Sequence, residues 1–264
     1  MIAFDKVCFT YDIGSPLRRD IFQDLSFTLE KGRPYFVIGK NGTGKSTLLQ
    51  LCNALLIPQS GTVAIDGMLT SDRKALPEIR KRVGILFQYP ERFFFGPKVR
   101  DELCFPLKNW KIPFEGWESK IQNALSLTGL SPSILDRSPF TLSGGEMRLV
   151  AIAALLVTNP TTVLLDEPTV GLDHHGRRRV QHMIRDYLRV GSTILLVTHE
   201  MQLAFDLDDS NRMFLMLERN RAPLKMTMAE LLAAEGLEET YGLRFPSMIE
   251  YERIKNRWKR SPES

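Results

Sequence analysis

Long apolar runs are missing from this chain of 264 residues. The apolar stretch at 151–157 is far shorter than the roughly 20 residues a membrane-crossing helix needs, so any work at a membrane is expected to go through a separate membrane protein. The opening Met1-Ile2-Ala3-Phe4-Asp5 has no basic-then-apolar pattern, so no secretion signal is read there. Cysteine is scarce as well. Cys8, Cys52 and Cys104 lie far apart without paired spacing, which excludes a disulfide framework or a cysteine metal motif and favours a reducing cytoplasm. Charge of one sign is also lacking: 35 basic against 31 acidic residues leave +4, a mild excess that does not argue for nucleic acid. The basic residues are scattered except at Arg177-Arg178-Arg179 and around Lys255, Arg257, Lys259 and Arg260, both read as solvated helix faces. Internal repeats and low-complexity segments are absent, which excludes a solenoid.

What is present is an ordinary globular composition, 43% hydrophobic and 25% charged, with length for one large core or a core plus a small subdomain. The N-terminal segment alternates in β fashion through Ile2, Phe4, Val7, Phe9 and Tyr11, then Leu25, Phe27 and Leu29. Residues 34–39 read as a short buried strand, 46–56 as a helix closed by Pro58, and 62–66 and 82–88 as strands. From 93 to 159 the β signal stops. Trp117, Ile121, Ala124, Leu125 and Thr128 fall at helical spacing with Gly129 placed to end the helix, and 145–157 reads as a second helix. Strands at 162–165, 193–198 and 213–217, with a helix at 174–190, then restore an α/β pattern. This predicts a largely parallel sheet covered on both faces and interrupted by a helical insertion. From Ala222 onward the chain reads as an appendix with one helix near 228–234 and no chemistry.

Gly39-Lys40-Asn41-Gly42-Thr43-Gly44-Lys45-Ser46-Thr47 matches G-x-x-x-x-G-K-[ST], with a strand before it and a helix after it. Its three glycines let backbone amides close on phosphate oxygens, and the following helix adds its positive end. Lys45 is expected to neutralise the β- and γ-phosphates of ATP, and Ser46 to ligate Mg2+. The apolar strand ending in Asp166-Glu167 puts Asp166 where open α/β sheets bind ligands, as a magnesium holder, and Glu167 as acceptor of the attacking water's proton. His199 and Gln88 follow two further apolar strands; His199 is expected on the γ-phosphate, and Gln88 near magnesium or the water.

Leu142-Ser143-Gly144-Gly145-Glu146 opens the helix at 145–157 and forms a second anion site from bare amides and a hydroxyl. One nucleotide does not need two phosphate sites in one pocket, so the second is expected to serve ATP held by another subunit in a closed dimer. Over about residues 1–220 the chain resembles ATP-binding cassette ATPases, through the phosphate loop, Gln88, LSGGE, the Asp166-Glu167 strand, Gly171-Leu172-Asp173 and His199 in the family's order. The resemblance implies a P-loop NTPase cassette of α/β class: a mainly parallel sheet core, an N-terminal antiparallel β subdomain, an inserted helical subdomain and a short C-terminal extension. Its implied boundaries are 1–92 with 160–220, 93–159, and 221–264. It implies Tyr11 on adenine, Asp173 at the dimer contact, and Ser143, Gly144, Gly145 and Glu146 against the partner's ATP. Glu146 stands where glutamine is commoner.

Phe87-Gln88-Tyr89-Pro90-Glu91, the Phe93-Phe94-Phe95 patch, Cys104-Phe105-Pro106-Leu107-Lys108 and Met147-Arg148 are similar to the ATPase of energy-coupling-factor transporters. That resemblance implies uptake of a vitamin or a cobalt- or nickel-type ion, a second ATPase subunit of the same or a related kind, a membrane scaffold subunit meeting residues 91–95, and a separate substrate-binding membrane subunit. It also implies a peripheral position on the cytoplasmic face of the membrane. Three rivals weigh less. Another transporter class would share the cassette motifs. Among soluble, non-transport cassettes, a DNA-repair type would carry a long coiled coil between Lys45 and Ser143, where only about a hundred residues lie, and a translation type would usually hold two cassettes where this chain has one. A phosphate-loop kinase would lack LSGGE.

Overall fold

The computed structural model describes residues 1–207, 211–251 and 253. The basic cluster at Lys255, Arg257, Lys259 and Arg260 lies outside the described residues. The chain opens on two antiparallel strands, β1 (Ile2–Tyr11) and β2 (Arg19–Leu29). Alternation along β1 slips by one residue, from buried Phe4 to buried Val7. The slip is a bulge: Lys6 takes φ 48 and the pairing with β2 shifts register there. β4 (Ser60–Ile65) and β5 (Met68–Leu69) complete a four-stranded sheet in the order β2-β1-β4-β5, antiparallel throughout.

The second sheet carries the site. β3 (Pro34–Ile38), β6 (Val83–Leu86), β7 (Thr162–Asp166), β8 (Thr193–Val197) and β9 (Met213–Met216) run parallel, and β10 (Leu224–Thr227) adds an antiparallel edge, giving β10-β9-β3-β8-β7-β6. The five parallel strands are apolar on both faces because both faces are covered. Tyr35, Val37, Leu164 and Leu195 point into one core, shared with α1 (Lys45–Cys52) and the antiparallel sheet. Their neighbours Phe36, Ile38, Val163, Leu165, Ile194 and Leu196 point into the other, under α3 (Val99–Asn109), α4 (Trp117–Thr128), α5 (Gly144–Leu156) and α6 (His174–Arg189). The period-two alternation of the strand backbone thus divides one apolar sequence between two cores.

α4, α5, α6 and the parallel strands fall within two residues of their sequence expectations. Gly129 ends α4 in the left-handed region, φ 64, as its position predicted. Elsewhere the structure departs. α1 stops at Cys52 rather than 56, because Asn53 turns its side-chain amide onto the Val83 carbonyl and Ala54 takes φ 56. The strand expected to reach 88 ends at Leu86. Four helices were not anticipated: α2 (Leu76–Arg82), α3, α7 (Met201–Asp206) and α9 (Leu237–Tyr241). In α3, Pro106 reads as a breaker, yet Val99, Leu103 and Leu107 are fully buried at i, i+4, i+8. Each such side chain contributes about 2 kcal/mol of transfer from water, which outweighs the backbone hydrogen bond that proline removes. The stretch after Ala222 is more than an appendix: β10 joins the main sheet before α8 (Met228–Ala233) begins.

Candidate functional site

The carboxyl ends of β3, β7 and β8 open on a cavity of about 600 Å³, where an open parallel sheet presents its loops to a ligand. Lys40 to Thr47, Tyr11, Gln88, Asp166, Glu167 and His199 all line it. Gly39 lies behind the wall and is buried. A Cβ there would meet the Leu217 carbonyl oxygen at 2.6 Å and Thr43 Oγ1 at 2.7 Å, so only glycine lets the loop pass this close. Gly44, at φ 100, has Ile21 Cγ2 2.5 Å from where a Cβ would sit. Lys45 is buried, with Nζ donating to the carbonyls of Gly39 (2.6 Å) and Lys40 (3.0 Å). Burial holds its pKa below the ordinary lysine value, against the pull of Glu167 and Asp166.

β7 delivers two carboxylates in different ways. Asp166 closes the strand, and its Oδ2 accepts the Ser46 hydroxyl at 2.6 Å. Burial raises its pKa, opposed by Ser46 and Lys45. Glu167 sits at φ 51, in the left-handed region that side chains avoid, with its N–H on the Val197 carbonyl at 2.9 Å. That turn sends its carboxylate toward His199. The His199 N–H donates to Oε2 at 3.4 Å, and Nε2 stands 3.5 Å from Oε1. Among the described residues Oε1 is buried without a hydrogen-bond donor, so it is free to accept a proton. Burial, reinforced by Asp166, pushes the Glu167 carboxyl up to about 7. Burial and then Lys45 lower the His199 pKa.

These groups fit a divalent cation held together with nucleotide phosphates. Among the described residues no three His, Cys, Asp or Glu side chains cluster. One carboxylate and one hydroxyl, already 2.6 Å apart, with phosphates completing the shell, is the donor set that suits Mg2+.

The pH response follows from Glu167. To act as a general base Glu167 would have to be ionised, so kcat/KM would then rise with pH through about 7 with the slope of one proton. The check is a profile at a fixed concentration of fully ionised nucleotide. The same shift lowers stability as the pH rises. The folded chain keeps a proton that the unfolded chain releases near 4.5, so this contribution is full below 4.5 and lost as pH passes about 7.

The signature residues stand apart from this cavity and line none of it. Ser143 and Gly144 are exposed, at the N-terminus of α5. Ser143 Oγ accepts the Glu146 N–H at 3.2 Å and donates to Glu146 Oε2 at 3.0 Å, while the Ser143 N–H reaches the same carboxylate oxygen at 2.9 Å. Arg137 holds the other carboxylate oxygen at 3.0 Å. Glu146 therefore completes a capping box and engages the hydroxyl that would otherwise face an anion. Gly145 lies over Leu172, and Asp173 caps α6 through the Gly176 N–H at 2.7 Å. Tyr11 puts its hydroxyl 3.2 Å from Thr47 Oγ1, its ring edge-on to Phe9.

Sequence reasoning missed several residues here. Arg19, Ile21, Glu218, Arg219 and Thr240, with Val197, complete the cavity wall. Thr240 comes from α9, which packs beside the phosphate loop, and Arg219 is tied to the Asp20 carbonyl at 2.9 Å. It also missed Glu102, a buried carboxylate whose Oε1 accepts the N–H groups of Phe95 (2.7 Å) and Gly96 (2.6 Å). Glu102 fixes the aromatic loop beside an apolar groove of about 320 Å³ lined by Phe87, Phe93, Phe94, Phe105 and Leu155.

Comparison with known proteins follows the same lines. The ABC transporter family model matches residues 22–170. The energy-coupling factor transporter ATP-binding protein EcfA2 of Symbiobacterium thermophilum is 39% identical over 249 residues, 94% of this chain and 85% of that protein. EcfA2 of Streptococcus thermophilus (strain LMD-9) is 36% identical over 253 residues, 95% of this chain and 89% of that protein. Among solved structures, cbiO1 from Clostridium perfringens, part of the ABC transporter complex cbiONQ, gives a TM-score of 0.76 at 28% identity, covering 96% of this chain and 98% of that one. A bacterial ABC transporter cassette solved as a dimer gives 0.76 at 25% identity, covering 86% and 99%. The chain belongs to the ABC transporter family, as an ATP-hydrolysing cassette of the energy-coupling factor kind.

Proposed function

We propose that this chain powers a membrane importer of a vitamin or a cobalt- or nickel-type ion, by closing on ATP as one half of a dimer seated on a membrane scaffold subunit. The observation that carries the dimer is the separation of two anion sites on one chain. The phosphate loop lines the cavity, and Ser143 to Glu146 face outward elsewhere. A head-to-tail pair brings each signature to the other's nucleotide and closes two pockets at once. The dimeric cassette of similar fold supports this arrangement.

In the closed pocket Tyr11 supports the adenine, and Gly39 to Thr47 wrap the phosphates. Lys45 exchanges its two loop carbonyls for β- and γ-oxygens. Ser46, Asp166 and Gln88 would hold Mg2+, which neutralises charge on those phosphates when bound. Glu167 takes the attacking water's proton at Oε1, and His199 donates to the γ-phosphate. Asp173 stands at the contact between subunits. The site is read as closed by a second ATPase subunit, either a second copy or a related chain.

The membrane side of the reading rests on exposed aromatics. Among the described residues no helix is long and apolar enough to cross a membrane, yet Phe93, Phe95 and Phe105 are each more than half exposed beside the groove. Phe95 packs edge-on to Phe105, with ring centroids 4.7 Å apart. Such a patch marks a surface that another protein covers. The partner's substrate class follows the resemblance to energy-coupling-factor ATPases. Phe94→Asp and Phe95→Asp are expected to keep ATPase activity within about twofold and to lose the membrane subunits when the chain is captured from solubilised native membranes. Co-purification and uptake at the unmodified level would remove the coupling assignment. Identifying the captured subunits, and the solute whose uptake they support, tests the substrate class.

A further inference from the structure

Arg148 is 5% exposed, yet it carries a charge and lies five residues beyond Ser143 on the signature helix α5. Its guanidinium makes two short bonds, both to backbone carbonyls of the ATP site. Nη1 donates to the carbonyl oxygen of Glu167 at 2.6 Å, and Nη2 to that of Gln88 at 2.5 Å. Glu167 holds a left-handed backbone, with its N–H bound to β8. Arg148 thus fixes the other side of the same residue, while Oε2 takes the His199 N–H and Oε1 faces the cavity unpartnered among the described residues. A rigid planar fork suits this task, since it sets two acceptors at a fixed separation, which a lysine cannot do.

We propose that Arg148 is a positioning residue that couples the signature helix to the hydrolytic groups of its own chain. α5 begins at the residues that meet a partner's nucleotide. A shift of that helix on engagement is passed, through one guanidinium, to the peptides that aim Glu167 and Gln88. Each pocket of the dimer is thereby informed of whether the other is filled. The proposal rests on the reading of Glu167 as general base.

Arg148→Lys reaches one carbonyl at most, and Arg148→Met reaches neither. Both variants are to be measured for kcat, for ATP affinity, and, combined with Glu167→Gln, for ATP-dependent dimer formation by sedimentation. The expected result is a fall in kcat of at least tenfold for Arg148→Lys and more for Arg148→Met, with ATP affinity within about threefold and the double variant still dimerising. Unchanged kcat in Arg148→Lys would overturn the coupling. So would a parallel loss of kcat, affinity and dimerisation, the mark of a merely structural arginine. Hydrolysis by Glu167→Gln itself would overturn the general-base reading instead, and is scored separately.

Discussion

Glu167→Gln is expected to lower ATP turnover about a thousandfold, the middle of the range for removing a general base, while ATP still binds and the dimer accumulates. The substitution keeps size and hydrogen-bonding capacity but removes proton affinity at Oε1, the buried oxygen with no donor. It touches neither the phosphate loop nor Ser46 and Asp166. It also removes a carboxyl that burial has raised to about 7, so a folded chain with undiminished melting temperature is expected. Single-turnover hydrolysis with quantified bound nucleotide is the check. Turnover at the unmodified rate would assign the proton to another group.

Lys45→Met is expected to weaken ATP binding about a hundredfold, equivalent to about 2.8 kcal/mol, and with it to abolish hydrolysis. The ammonium is buried 2.6 Å from the Gly39 carbonyl and faces Asp166 and Glu167. Among the described residues no other lysine lines the cavity except Lys40, which is exposed. Methionine keeps the apolar stem, so packing changes little, but the phosphates lose their buried cation. Titration calorimetry measures the affinity directly. In the unmodified chain ATP should raise the melting temperature by mass action, and in the variant this rise should vanish at the same concentration.

The legible parts of this molecule were those written locally. The phosphate loop, the apolar strand ending in Asp166-Glu167 and the Ser143 cap each occupy a few consecutive residues, and the parallel strands placed their ends together as α/β topology requires. Gly129 announced the end of α4 because a left-handed position selects glycine. Other parts were written across distance. Arg19, Arg219 and Thr240 share a wall through chain segments about 200 residues apart in sequence, and no local pattern records that. Arg148 bonds to carbonyl groups, which every residue has, so nothing in the sequence marks its partners. α3 was hidden by Pro106, and β10 by its shortness, with Met226 alone of its four side chains buried. Ser143 stands exposed at the start of α5. The capping box on Glu146 adds that, in the isolated chain, this hydroxyl is already engaged.

On this reading each nucleotide pocket is completed by two chains. It is tested most directly by the sedimenting mass and nucleotide content of Glu167→Gln with ATP, with and without Ser143→Arg. An ATP-dependent doubling of mass with two nucleotides per particle is expected, abolished by Ser143→Arg although each chain still binds ATP. A Glu167→Gln particle of unchanged mass that binds ATP, together with an otherwise unmodified chain whose specific ATPase rate is independent of protein concentration and indifferent to Ser143→Arg, would contradict it.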